Sequence, residues 1–203
     1  MEILNWILLI FGGLIALLLV VALFVSKDYH IVKDIVVKRQ KQQVYDYIKY
    51  LKHQSNYSKW NMTDPDSLRE YKGTDGTVGF FTSWDSKNTS VGKGEQSIAA
   101  LVEGERVDFD LHFIKPFEGK AKSYMVLSAM PGDACNVSRA FESRMPYPMN
   151  VMRLFMNMEK MMGDDLQVSL GNLKAILEGA SNWLFLIFYY LLFITVVRNR
   201  IKN

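Results

Sequence analysis

The side chains of this chain that could do chemistry are few, and their spacing gives catalysis thin support. The three histidines, His30, His53 and His112, stand far apart. No two have metal-ligand spacing, and none pairs with the single Cys135 as a base beside a nucleophile. Cys135 itself reads as a small buried strand residue, with no neighbouring pattern that would lower its thiol pKa. Asp108 with Asp110, and Asp164 with Asp165, read as solvated surface carboxylates rather than an acid–base pair. Gly92-Lys93-Gly94 lacks the pattern of either nucleotide fingerprint. What remains is Arg139 and Glu142, with Arg144 behind them, as polar groups suited to orienting a ligand. No catalytic residue, metal or cofactor is expected.

The apolar residues are more informative. Met145, Met149, Met152, Met156, Met158, Met161 and Met162 are seven of the chain's eleven methionines. Methionine is unbranched and polarizable, suited to lining a cavity that accepts variable shapes. Trp60, Trp84, Phe109, Phe113, Tyr124 and Phe141 are candidate pocket walls, with Met145, Met158 and Met162 beside them. Ordinary core filling explains the same residues, and the sequence does not separate the two.

Positioning these groups requires a body of about 150 residues, Lys27 to Gly179, a normal size for one domain. Tyr29 to Val37 is extended in character. Gln40 to Trp60 reads as one helix, with Val44, Tyr47, Ile48 and Leu51 on its apolar face. Asp64-Pro65-Asp66 predicts a short second helix, with Asp64 as cap. Four or more strands follow, punctuated by glycines. In the clearest of them Val107, Phe109, Leu111 and Phe113 alternate with Asp108, Asp110 and His112, giving one buried and one wet face. Val151 to Leu177 keeps helical spacing throughout, which predicts a long amphipathic helix opened by Pro148 and closed by Gly179. A meandering sheet cannot bury its apolar face alone and must wrap around that helix.

Both ends are apolar. Ile3 to Val25 carries no charge and is long enough, at ~1.5 Å per residue, to span a ~30 Å bilayer core. A signal peptide would have a basic start and small residues at its exit; Glu2 and Leu23-Phe24-Val25 offer neither, so a retained anchor is expected. Lys27, Lys33, Lys38, Arg39 and Lys41 follow the run and no Lys or Arg precedes it, which places the body in the cytoplasm. The second run, Trp183 to Val197, reaches only ~22 Å as a helix, and it could be a short membrane helix, an interfacial segment or a tail packed on the anchor. Residues 1–26, 27–179 and 180–203 are thus the expected divisions. The net charge of +3 is spread without clusters and gives no sign of a nucleic-acid partner.

The body resembles the polyketide-cyclase-like branch of the START-related (SRPBCC) superfamily. The likeness lies in Val44 through Trp60, then Trp84 and Val91-Gly92-Lys93-Gly94-Glu95. It continues in Phe113-Ile114-Lys115-Pro116-Phe117, Met145-Pro146-Tyr147-Pro148 and Leu170-Gly171-Asn172-Leu173-Lys174. It implies an α+β helix-grip fold, a curved antiparallel sheet around a long C-terminal helix, to which the terminal hydrophobic helices are additions. It also implies a cavity for a lipid or other hydrophobic small molecule, with a cyclase or dehydratase reaction or a protein-interaction role as alternatives. Relatives would carry Trp where this chain has Arg139. Parity with Val137 and Phe141 points Arg139 inward, where it could receive a carboxylate or phosphate. The competing reading has it snorkel to the rim or pair with Glu142 or Asp110.

Overall fold

Alternating side chains make the strands, and the last helix covers their apolar face. The computed structural model describes the backbone of residues 2–201 and the side chains of residues 2–179. A long apolar helix α1 (Glu2–Phe24) leads into β1 (Asp28–Val37). The helical pieces α2 (Lys41–Ile48), α3 (Gln54–Tyr57) and α4 (Lys59–Thr63) follow, with a 3₁₀ turn Leu51–His53 between the first two. Six further strands come next: β2 (Leu68–Lys72), β3 (Phe81–Asp85), β4 (Lys93–Val102), β5 (Arg106–Lys115), β6 (Gly119–Met130) and β7 (Ala134–Arg144). A 3₁₀ segment, Met149–Leu154, precedes α5 (Met158–Ile201).

The seven strands form one open antiparallel sheet in the order β1-β7-β6-β5-β4-β3-β2, wrapped around α5. The first strand therefore closes against the last, from Asp28 opposite Arg144 to Val37 opposite Cys135. This is the helix-grip architecture, and the expected fold class holds.

The inner face buries Ile31, Val107, Phe109, Met125, Val137 and Phe141, against Leu166, Leu170, Leu173 and Leu177 of α5. Each such side chain contributes about 1.5–3 kcal/mol on leaving water. The core divides in two. A large cluster centres on Val44, Phe109, Met125 and Leu170; a smaller one, toward the start of β1, joins Ile31, Ala121, Phe141 and Leu166. Cys135 is fully buried in the larger cluster, and burial pushes its thiol pKa up, as an inert strand residue should behave.

Three helical expectations differ from what forms. The single helix over Gln40–Trp60 is broken where Tyr50 and Ser58 adopt extended backbone. The new N-terminus is satisfied by a distant group, since Asp75 accepts hydrogen bonds from the Leu51 and Lys52 amides at 2.8 and 3.1 Å. Asp64-Pro65-Asp66 is a turn rather than a helix. The Asp64 carboxylate is occupied by the Ser86 hydroxyl, and its carbonyl accepts from Ser67. The long last helix begins at Met158 rather than at Pro148. Asn157 Oδ1 caps it through the Lys160 amide at 2.8 Å, and α5 does not stop at Gly179. Apolar spacing runs unbroken through Met149–Leu154 because 3₁₀ and α periods are too close for sequence to distinguish over two turns.

Candidate functional site

Arg139 occupies the centre of β7, and strand parity aims it at α5. It is 4 % exposed, and its Nε and Nη1 are buried without a hydrogen-bond partner. Its cross-strand neighbours on the same face are Lys33 of β1 and Met125 of β6. Neither carboxylate that could have paired with it reaches it. Glu142 and Asp110 sit on the opposite parity and point out of the other face of the sheet. Burial lowers its pKa, and an arginine guanidinium keeps its charge in proteins.

Two more polar groups are buried on α3, and one of them, Tyr57, adjoins Arg139 through Met125. Tyr57 is fully buried, and its hydroxyl meets only the Met125 sulfur, at 3.9 Å. Desolvation pushes its pKa up to about 12, so it remains a neutral O–H. Gln54, one turn earlier on the same side of α3, is buried with Nε2 unpartnered. α5 holds this stretch: the Asn172 side chain donates to the Tyr57 carbonyl at 3.2 Å, and Ser169 Oγ accepts the Lys59 amide at 3.0 Å. Sequence reasoning missed Tyr57 and Gln54.

The other expected site residues divide between the faces. Trp60, Phe113, Phe141 and Met162 converge on the smaller cluster, while Phe109 lies in the larger one. Trp84 stands edge-on to Phe113, with ring centroids 6.1 Å apart, and its ring covers Gly94. A Cβ at Gly94 would fall 2.5 Å from that ring. Gly92 has φ +64°, and a Cβ there would meet the Lys115 carbonyl oxygen at 2.1 Å. The Gly92-Lys93-Gly94 stretch is therefore a packing device. Met145 extends the β7 ladder, its amide donating to the Lys27 carbonyl at 2.9 Å, and Met158 opens α5 half-exposed.

Tyr124 and Glu142 do not join the inner wall. Both are on the outer face, where His30 Nε2 lies 3.2 Å from the Tyr124 hydroxyl and 3.6 Å from Glu142. That face carries a shallow groove of about 900 Å³ whose lining mixes Asp110 and Glu142 with Lys122 and Arg144. His112 sits there too, between Glu95 and Glu118 at 3.6 and 3.4 Å. The separation of Glu142 from Arg139 by the thickness of the sheet removes the acid–cation pair that an enzymatic reading required. Among the described residues no cluster of His, Cys, Asp and Glu could hold a metal ion.

The end of the domain nearest α1 has its own construction. Asn150 is fully buried and donates through Nδ2 to the Ala22 and Val25 carbonyls at 2.7 and 2.8 Å. Arg153 donates to the carbonyls of Ser26 and Asp28, the latter at 2.9 Å. These bonds satisfy orphan carbonyls at the end of α1 and fix it to the Met149–Leu154 segment. Leu154 and Phe155 are 58 % and 76 % exposed beside this junction. Phe117, 73 % exposed, is at the same end, because the β5–β6 turn lies level with Asp28 and Arg144. Between β1 and the start of α5 runs a groove of about 560 Å³, bordered by Tyr29, Ile31, Phe155 and Met158 and by the polar Asp28, His30, Arg153, Asn157 and Glu159. α1 is long and apolar enough to cross a membrane and buries little of itself. The side chains of the second apolar run, Trp183 to Val197, lie outside the described residues.

No family model matches the chain, and no curated protein matches it. Solved structures do. The protein TTHA0849 from Thermus thermophilus is similar over 75 % of this chain and 99 % of its own, with 15 % identity and a TM-score of 0.55. Hypothetical protein jhp0584 from Helicobacter pylori covers 74 % of this chain and 89 % of its own, with 10 % identity and a TM-score of 0.55. Protein CV1439 from Chromobacterium violaceum covers 73 % and 96 %, with 17 % identity and a TM-score of 0.52. At such identities the likeness is one of fold.

Proposed function

We propose that this chain is a membrane-anchored member of the START-related superfamily. Its helix-grip body binds, shields or transfers a hydrophobic small molecule or lipid beside the cytoplasmic face. The observation that carries the reading is the junction: Asn150 and Arg153 fasten the end of α1 to the segment bordering the groove toward Ile31 and Met158. A bilayer around α1 would meet Phe117, Leu154 and Phe155 first, and the groove between β1 and the start of α5 lies at that end, where apolar molecules are concentrated. Tethering raises the effective concentration of ligand at that opening. Burial supplies about 25 cal/mol per Å² of apolar ligand surface removed from water. The basic residues after α1 support a cytoplasmic body.

Native mass spectrometry of the full chain released from nonionic micelles tests this. We expect one apolar molecule per chain that survives removal of the micelle and is absent from Met158→Asp. A wild-type chain that carries nothing, and takes nothing from an added lipid extract, refutes the proposal. So does a Met158→Asp chain that keeps its ligand.

A further inference from the structure

The interior holds donors that the protein's own acceptors do not meet. Arg139 contributes Nε and Nη1, Gln54 contributes Nε2, and all three nitrogens are buried without partners. The Tyr57 hydroxyl adds a fourth donor with only a thioether for company. Arg139 and Tyr57 both contact or adjoin Met125, which places guanidinium and hydroxyl in one neighbourhood. Lys33, the other cross-strand neighbour of Arg139, is also a cation. It passes over Gly163 of α5, where any Cβ would lie 2.6 Å from its Cε. Among the described residues no carboxylate faces this group, since Glu142 and Asp110 are across the sheet and Asp165 is taken by Lys59.

A buried, unpaired guanidinium is costly, and one partnered by an anion is not. Because the desolvation cost is already carried by the empty protein, an arriving anion meets charge and oriented donors in a medium of low dielectric. An uncharged ligand of the same length would bury the same apolar surface without that gain. The smaller apolar cluster of Ile31, Phe141 and Leu166 lies between this site and the groove beside α1.

We propose that Arg139, Tyr57 and Gln54 form an internal anion-receiving site, so that the ligand is a single-chain amphiphile whose carboxylate or phosphate head is buried first and whose tail trails toward the membrane. This rests on the ligand-binding reading above and narrows it to one ligand class. Arg139 is the residue that discriminates by charge; Tyr57 and Gln54 orient the head.

The test uses the full chain in phosphatidylcholine nanodiscs, with binding corrected for partition into empty discs. Palmitic acid, hexadecyl phosphate and hexadecanol are compared on wild type, Arg139→Met and Tyr57→Phe. We expect wild type to prefer at least one of the two anions over the alcohol by about 10- to 100-fold, the range for a charge-assisted hydrogen bond. The anion preferred tells carboxylate from phosphate. Arg139→Met should bind all three alike and, when empty, melt at a higher temperature than wild type, which loss of a merely structural arginine would not produce. Tyr57→Phe should keep the preference with a several-fold smaller ratio. Equal binding of acid and alcohol by wild type overturns the anion site while leaving the carrier reading intact. Binding of none of the three overturns both. Retention of the preference by Arg139→Met removes Arg139 from the role.

Discussion

Arg106 and Arg139 are on neighbouring parts of the same sheet and meet opposite fates. Arg106, on the outer face, lies 2.6 Å from Asp108 and stacks 4.0 Å from the centre of the Tyr124 ring. Arg139, on the inner face, has no hydrogen-bond partner for its buried Nε and Nη1. The outer face is a finished surface whose charges answer one another. The inner face is a core that holds the Arg139 charge unanswered. A fold that tolerates such a charge at its centre either gives up stability for nothing or keeps the charge for something that arrives later.

The contrast between the faces is tested most severely in the core itself. Phe109→Ala should cost about 3–5 kcal/mol, since the side chain is buried in the larger core cluster, measured by denaturant unfolding in micelles. An exposed counterpart, Phe117→Ala, should change stability by less than about 0.5 kcal/mol while weakening adhesion of the domain to vesicles.

The two faces should also titrate differently. The fold holds the Tyr57 pKa at about 12 against 10.0 for a free tyrosine. The neutral hydroxyl is the favoured form, so its contribution is complete below about pH 10 and is lost as pH rises through about 12. Two pKa units correspond to about 2–3 kcal/mol. Unfolding of wild type between pH 9 and 12 should therefore lose roughly that much more stability than unfolding of Tyr57→Phe. A matched loss in both proteins would mean that Tyr57 is not sealed from water. Tyr124, raised first by burial and next by Glu142 but partly open to solvent, should give a smaller difference in the same experiment.

Gly94→Ala probes the packing beneath the outer face, because its methyl would press on the Trp84 ring and lie 2.8 Å from the His112 carbonyl oxygen. A cost of about 1–3 kcal/mol is expected, with a shift in tryptophan emission. The smallest effect belongs to the outer pair. Arg106→Met should cost under about 1 kcal/mol, as exposed ion pairs do, whereas Arg139→Met should stabilise the empty protein. If both changes destabilise alike, the contrast between the faces is false.

Much of this architecture was legible as pattern. The alternation of Val107, Phe109, Leu111 and Phe113 predicted a one-sided strand, and the long leucine series predicted the helix that the sheet grips. The parity of Arg139 with Val137 and Phe141 predicted its inward direction. Three things were not legible. The α2–α4 stretch breaks at Tyr50, where the distant Asp75 carboxylate takes the Leu51 and Lys52 amides, and at Ser58, where Ser169 of α5 takes the Lys59 amide, and local propensity registers neither. Asp64 spends its side chain on Ser86 rather than on a helix end. Tyr124 and Glu142 look like wall residues by type, but register sends them outward.

Period and composition fixed what can be decided by near neighbours: an apolar run able to span a bilayer, a body of strands closed by one long helix, and an arginine on the buried parity of its strand. Those features depend on spacing along the chain, and spacing is fully present in the sequence. Whether Arg139 would find a partner was a different kind of question. It turned on which side chains from β5, β6, α3 and α5 arrive at the same point, and on Glu142 and Asp110 being held away by the sheet itself. Meetings between distant segments are set by topology and register, so only the folded chain could leave that charge alone.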